Sequence, residues 1–542
     1  MRAMVVPTGF LVIALAAPGP AAAQHQHDAG AAPQRFGTVR FATSCSPAVQ
    51  DEFNRAVALL HSFWFSAAIE GFDAVLEKDP ACAMAHWGIA MSWWSNPFGG
   101  FRPPPALAAG RAAVEKALAA GPKTARERDY INAVAALYKD YETVDQRTRI
   151  LAYEEAMARL AATHAADPEA RIFYALALDQ AAPPTDHTYA RQLKAGAILE
   201  KELPSQPDHP GISHYIIHSY DVPALAPKAL DAARRYAKIA PDAPHALHMP
   251  SHTFTRVGYW DESIETNLAS AASARKANAA TEELHALDYQ VYAYLQLARD
   301  AAAREVLGSI APIGARIEAT SAGNAAPAPA GYYALAAIPA RYALERHAWR
   351  EAAALEARDT PYLWADAVSY FARALGAARS GDAAAAARDI EKLASISASL
   401  KAKHDTYWAG QVDIQRRVAA AWAAHAGGRR DEGLAMLREA AGMEDATEKS
   451  AVTPGPITPA REQLGEMLLA MTRPADALAA FEKTMTKEPN RFRAVYGAAK
   501  AAEAAGDQAR ARKYYAKVVE LGRDAGAPIR PELDEARRKA GR

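Results

Sequence analysis

A repeat of 34 residues constrains this chain more than any other feature of it. Ala477 recurs as Ala511, Phe481 as Tyr515 and Thr484 as Val518, each 34 residues on, and Pro489 closes the first unit. Small side chains let two antiparallel helices approach closely. The aromatic fills the gap to the next unit, and the proline, which lacks an amide hydrogen, stops the second helix. A period of this length marks stacked helical hairpins that bury their apolar faces on one another. At 542 residues the chain is also too long for one ordinary globular core.

Weaker copies run upstream. Ala68, Phe72 and Pro80 end an early unit and AMAHWGIAMSWW opens the next; Gly258-Tyr259-Trp260 before Ser263 reads as a turn between helices. The pattern resembles the tetratricopeptide repeat: a Leu-Gly pair, then small residues and an aromatic on the second helix, then a terminal proline. The resemblance spans roughly residues 48 to 525 and implies an all-α fold. That fold is a tetratricopeptide-repeat α-solenoid, a right-handed superhelix of antiparallel helix pairs. SAGNAAPAPAG and TPGPITP are the clearest breaks and read as loops between sub-arrays. The predicted organisation is a signal peptide at 1–23, a disordered leader at 24–44 and an N-terminal array with a histidine-rich groove at 45–320. A loop at 321–331, a central array at 332–452 and C-terminal repeats at 453–542 follow.

The signal peptide is read from Arg2, the apolar run Phe10 to Ala17 and the small residues Ala21, Ala22 and Ala23. That run is too short to span a bilayer, and no later stretch is long and apolar enough. A periplasmic or secreted protein is expected, with no membrane insertion. Cleavage after Ala23 would expose Gln24-His25-Gln26-His27, read either as a weak copper site or as a polar leader. Basic and acidic residues balance at 62 each, so no electrostatic footprint for nucleic acid is present. Cys45 and Cys82 are the only cysteines; in an oxidising compartment they form either a disulfide or two separate buried thiols.

Six of the sixteen histidines fall between residues 209 and 252. His214 and His218 are four apart and so share one helix face, as do His248 and His252. The two pairs are offset by 34, which places them at equivalent points on first helices of adjacent repeats. Counting from Gly258 makes these the fifth and ninth repeat positions and His245 the second. In the tetratricopeptide family, the resemblance implies, those positions face the concave ligand groove. Asp221 lies one turn further along. His285, Asp288 and Tyr292 are expected on the same face of the next unit, and Arg341 occupies the position matching His252. Pro250 and Pro339 both fall at the seventh position of a first helix, where proline kinks it.

Packed helices sit about 8–10 Å apart, so imidazoles from two of them can share an ion. Neutral imidazole suits zinc, copper, nickel or iron, and His214, His218, His248 and His252 are the candidate ligands. No glutamate stands beside either pair as in the HExxH of a metalloprotease, so hydrolysis is not specified. A polar groove binding a peptide or small anion without metal, and structural hydrogen bonding, are the competing readings. Elsewhere, His86 and the tryptophans Trp87, Trp93 and Trp94 read as core. Glu462 and Glu466 read as a cation site or a solvated face.

The string TSCSPAVQDEFNRAVALLHSFWFSAAIEGFDAVLEKDPACAMAHWGIAMSWWSNPF, with HALHMPSHTFTRVGYWDESI and TPGPITPARE, resembles a bacterial family of exported tetratricopeptide-repeat proteins of poorly defined activity. The resemblance implies the fold and export, and suggests the Cys45–Cys82 pairing. It implies no reaction. The leading expectation is a scaffold that binds a partner protein, peptide or small ligand through the histidine-rich groove. The alternative is a metal-dependent enzyme, or a metal carrier or sensor, with a transition metal on the groove histidines. No nucleophile elbow, phosphate loop, CxxC pair or dinucleotide fingerprint is present.

Overall fold

Alanine-rich sequence without β-branched runs favours helix. In the computed structural model, which describes residues 34–183, 185–317 and 325–541, every regular element among the described residues is helical. The chain forms an all-α tetratricopeptide-type solenoid, each helix packing mainly on those before and after it in sequence. No helix among the described residues is long and apolar enough to cross a membrane. The chain divides into two units, Met1–Gln34 and Arg35–Arg542. Of the first only Gln34 is described, so the expected signal peptide and the His25 and His27 candidate lie outside the described residues. All that follows concerns the second unit.

The packing follows from aromatics set against glycines. Phe72, on the helix Phe65–Lys78, presses on Gly88 of Ala83–Trp94, where an added Cβ would overlap its ring. Phe481, on Pro474–Lys487, lies between Gly465 of Ala460–Ala470 and Gly497 of Phe492–Ala504 in the same way. Tyr138 over Gly110 and Tyr220 over Gly196 repeat the arrangement. Each contact lets two backbones approach while an aromatic fills the space between units.

Three differences from the sequence reading matter here. Residues 35–44 are not a disordered leader. Phe36, Val39 and Phe41 are buried, and the Phe41 ring lies 5.3 Å from that of Trp87 and 5.0 Å from that of Tyr130. These apolar residues fill a slot in the first hairpins, and the disulfide Cys45–Cys82 follows directly. Second, a helix begins at Ala328, inside the stretch read as a loop; residues 318–324 are outside the described residues. Third, the main apolar core changes at Gly258 rather than near residue 320: one cluster runs from Phe36 to Phe254, with Ala325, and the next begins at Trp260.

The two prolines act differently. Pro250 divides its segment into the short helix Pro244–His248 and the helix Pro250–Val257, whereas Pro339 sits within the continuous helix Ala328–Glu345. Gly258 then turns the chain at φ 72°, a left-handed conformation that strains other residues; a Cβ there would also lie 2.6 Å from the Pro489 carbonyl.

Candidate metal centre

Four helices bring six histidines together. His214 and His218 come from the helix Pro210–Ser219, His245 and His248 from Pro244–His248, His252 from Pro250–Val257 and His285 from the helix Ala280–Gln296. All six are 9% exposed or less. They therefore do not face an open groove as expected. The loop after the helix Arg430–Asp445 lies across them. Tyr289 donates from its hydroxyl toward the Ala451 and Thr453 carbonyls at 3.2 Å each. Arg341 donates to Thr453 Oγ1 at 2.8 Å and to the Gly455 and Pro456 carbonyls at 3.1 and 3.0 Å. Phe63 and Phe98 close the other side, the Phe98 ring stacking on His218 at 4.3 Å.

The histidines sort into two groups of three, His214, His218 and His245, and His248, His252 and His285; within each, one ligand nitrogen per ring lies within 4.8 Å of the other two. The four proposed ligands His214, His218, His248 and His252 are thus divided between the groups. The rings of His245 and His248, and of His218 and His252, are 6.1 Å apart across the division. The 34-residue offset put equivalent positions on neighbouring helices, but a further ring joins each pair: His245 joins His214 and His218, and His285 joins His248 and His252.

Hydrogen bonds fix which nitrogen each ring presents. Asn267 donates its amide hydrogen to the Ser263 carbonyl at 2.7 Å, so its Oδ1 accepts from His248 Nδ1 at 2.7 Å. His252 donates from Nδ1 to Asp221 Oδ2 at 2.9 Å. Both Nε2 atoms therefore carry bare lone pairs, and they face each other at 3.1 Å. His285 lies against the Val452 carbonyl, and its Nδ1 has no partner among the described residues. In the first group, His214 donates from Nδ1 to the His61 carbonyl at 2.6 Å, leaving Nε2 unpartnered. His218 Nε2 and both nitrogens of His245 are also buried without hydrogen-bond partners among the described residues. Buried polar atoms left in this state cost about 1–3 kcal/mol each.

The electrostatics keep the rings neutral. Burial, then the neighbouring imidazoles, pushes His214 and His285 down to about 3 and His218, His245 and His248 well below the usual histidine value. Burial opposes charge on Asp221, but Lys449, Arg256 and His252 outweigh it and hold the carboxyl well below its usual range. Arg256 Nε donates to Asp221 Oδ1 at 2.8 Å, and Lys449 Nζ lies 3.5 Å from that oxygen. Burial and the Arg256 charge bring Lys449 down to about 8. An open cleft reaches this point, lined there by Arg256, Glu448, Lys449 and Glu488.

The other expected groove residues are held by the chain itself. Asp288 accepts from Arg341 Nε at 2.8 Å, and the Tyr292 hydroxyl donates toward Glu488 at 3.2 Å. Neither Glu462 nor Glu466 is a solvated face. Glu462 is buried against Arg491 at 2.9 Å, and Glu466 accepts from His347 and from Arg379, the latter at 2.8 Å. Sequence reasoning did not reach Asn267, Lys449 or Glu169. Glu169 is buried between His61 and His209, whose Nε2 atoms donate to it at 3.0 and 2.8 Å. Its carboxyl stays well below the usual range, because these imidazoles outweigh the effect of burial. His61 in turn positions His214 through its carbonyl.

No family model matches the chain, and no curated protein does. Among solved structures, it is similar to a human IFIT1 dimer with m7Gppp-AAAA, at 11% identity over 82% of this chain and 90% of that one, with a TM-score of 0.39. It is also similar to the P58(IPK) TPR domain, at 14% identity over 68% of this chain and 98% of that one, with a TM-score of 0.21. Likenesses this distant carry no argument about function.

Proposed function

We propose that this chain is a transition-metal protein with an ion held by His248, His252 and His285. The observation that carries the reading is the 3.1 Å approach of His248 Nε2 and His252 Nε2, each of whose ring protons is already donated to Asn267 or Asp221. Two lone pairs aimed at each other repel, and a cation between them removes the repulsion. Partners on the far side of metal-ligating imidazoles are the usual means of orienting them. Three neutral imidazoles suit zinc, copper, nickel or iron. Three protein ligands leave a coordination position for an exogenous molecule, as catalytic sites do and closed structural sites do not. Lys449 would meet an anionic ligand there. This favours a metal-dependent enzyme over a carrier or sensor. A location outside the cytosol goes with it, supported by the pattern of residues 1–23 and by the disulfide.

A scaffold that binds a protein, peptide or small ligand is the second reading. It is supported by the outer cleft, where Tyr407 and Trp408 line the wall, rather than by the buried histidines.

Elemental analysis of untagged protein grown in metal-replete medium tests the first reading. At least one equivalent of a transition metal per chain is expected, reduced in the His248→Ala/His252→Ala double variant. Metal-free protein, also failing to take up zinc, copper, nickel or iron on reconstitution, would overturn it.

A further inference from the structure

The second trio is the stronger anomaly once the first is given an ion. His214 Nε2, His218 Nε2 and both nitrogens of His245 are buried with nothing to bond among the described residues. A structural histidine would be satisfied, as His61 is nearby, with Nε2 on Glu169 and Nδ1 on the Tyr215 hydroxyl. Instead His214 is held from behind by the His61 carbonyl, and His218 is clamped between Phe63 and Phe98. Aromatic walls position the ring without offering a hydrogen bond. His245 lies between the groups, its ring 5.1 Å from that of His214 and 6.1 Å from that of His248.

We infer that His214, His218 and His245 hold a second metal ion, so that the chamber is a six-imidazole centre for two adjacent ions, and that the pair is cuprous. This deepens the proposed function and rests on it. The choice of copper follows from charge. None of the six donors is anionic, and the carboxylate beside them, Asp221, is already matched by Arg256 and Lys449. Two divalent ions would bury four positive charges with no ligand charge to offset them. The cost of burying an ion grows steeply with its charge, so two monovalent ions are far less penalised. Copper is among the ions that imidazole suits, its cuprous state is monovalent, and three imidazoles hold it while leaving the open position argued above.

Anaerobic titration with Cu(I) against a chromophoric chelator, with copper counted per chain, tests the inference. Two equivalents are expected for the wild-type chain. His214→Ala/His245→Ala should retain one, His248→Ala/His252→Ala should retain one, and the combined variant none. X-ray absorption of the loaded wild-type protein should give three nitrogen neighbours per copper at about 2.0 Å, a readout that needs no variant to fold. A single equivalent, lost with His248 and His252 but untouched by changes at His214 and His245, would overturn the second site and leave the first standing. Two equivalents of zinc taken up in preference to copper would overturn the choice of ion. No binding of copper, zinc, nickel or iron is the separate result that removes the proposed function itself.

Discussion

His248 Nε2 and His252 Nε2 meet at 3.1 Å although neither has a proton to give the other. The two rings are one helical turn apart, and the backbone stays helical through Met249 between their two short helices. Residues four apart share one helix face. Asn267 and Asp221 hold the two imidazoles toward a common point from opposite sides.

Asn267 is therefore expected to control metal affinity without touching the ion. Asn267→Leu removes the acceptor for His248 Nδ1 and lets the ring adopt the other tautomer. Loss of such an outer partner typically weakens binding about 10–100-fold. Chelator competition on the folded variant measures this directly, and an unchanged affinity would separate the Asn267 contact from the metal.

Arg341 couples the loop to the site. Its guanidinium bonds Asp288, Thr453 and the carbonyls of Gly455 and Pro456 at once. Lysine keeps the charge beside Asp288 but cannot reproduce the fork. Arg341→Lys is expected to release the loop, and trypsin cleavage after the buried Lys449 should accelerate about tenfold or more, the result of about 1.4 kcal/mol of lost closure. Equal cleavage rates in variant and wild type would show that other contacts hold the loop.

Glu282 gives stability a pH dependence of known sign. Burial raises its carboxyl to about 7, although the Ala326 amide, which donates to it at 2.7 Å, pulls the other way. The folded-state value lies above the unfolded one of about 4.3, so the folded chain holds a proton that the unfolded chain has lost. Stability therefore falls as pH rises between those values and the loss is complete above about 7. Glu282→Gln should be more stable than wild type by about 1–3 kcal/mol at pH 8 and little different at pH 4. Thermal unfolding at the two pH values measures the difference; a gap that does not widen with pH would place the carboxylate in a better-solvated setting.

Much of this was legible in the sequence, for identifiable reasons. The helix-pair architecture follows from Phe481 and its copy Tyr515, because an aromatic recurring with small residues fits one kind of packing. The pairs His214/His218 and His248/His252 were legible because four-residue spacing fixes a shared face. Their division into two trios was not. It depends on His245 at the start of a short helix and on His285, whose unit is out of phase by a short insertion. Asn267 carries no local signal, since an asparagine on a second helix is commonplace. Lys449 and Val452 reach the site from more than 160 residues beyond His285, a pairing set by tertiary packing alone. The burial of Phe36, Val39 and Phe41 was masked by the polar residues around them.

The loop that lies over the histidines has a consequence for how the site is filled. Until residues 447–459 dock, the donor set lacks its cover on that side. Docking of Tyr289 and Arg341 onto the loop then shuts the chamber. On the proposed reading, loading precedes that last step, and the ion present when the loop docks is the one retained. Metal identity would then be decided by the order of events rather than by affinity alone.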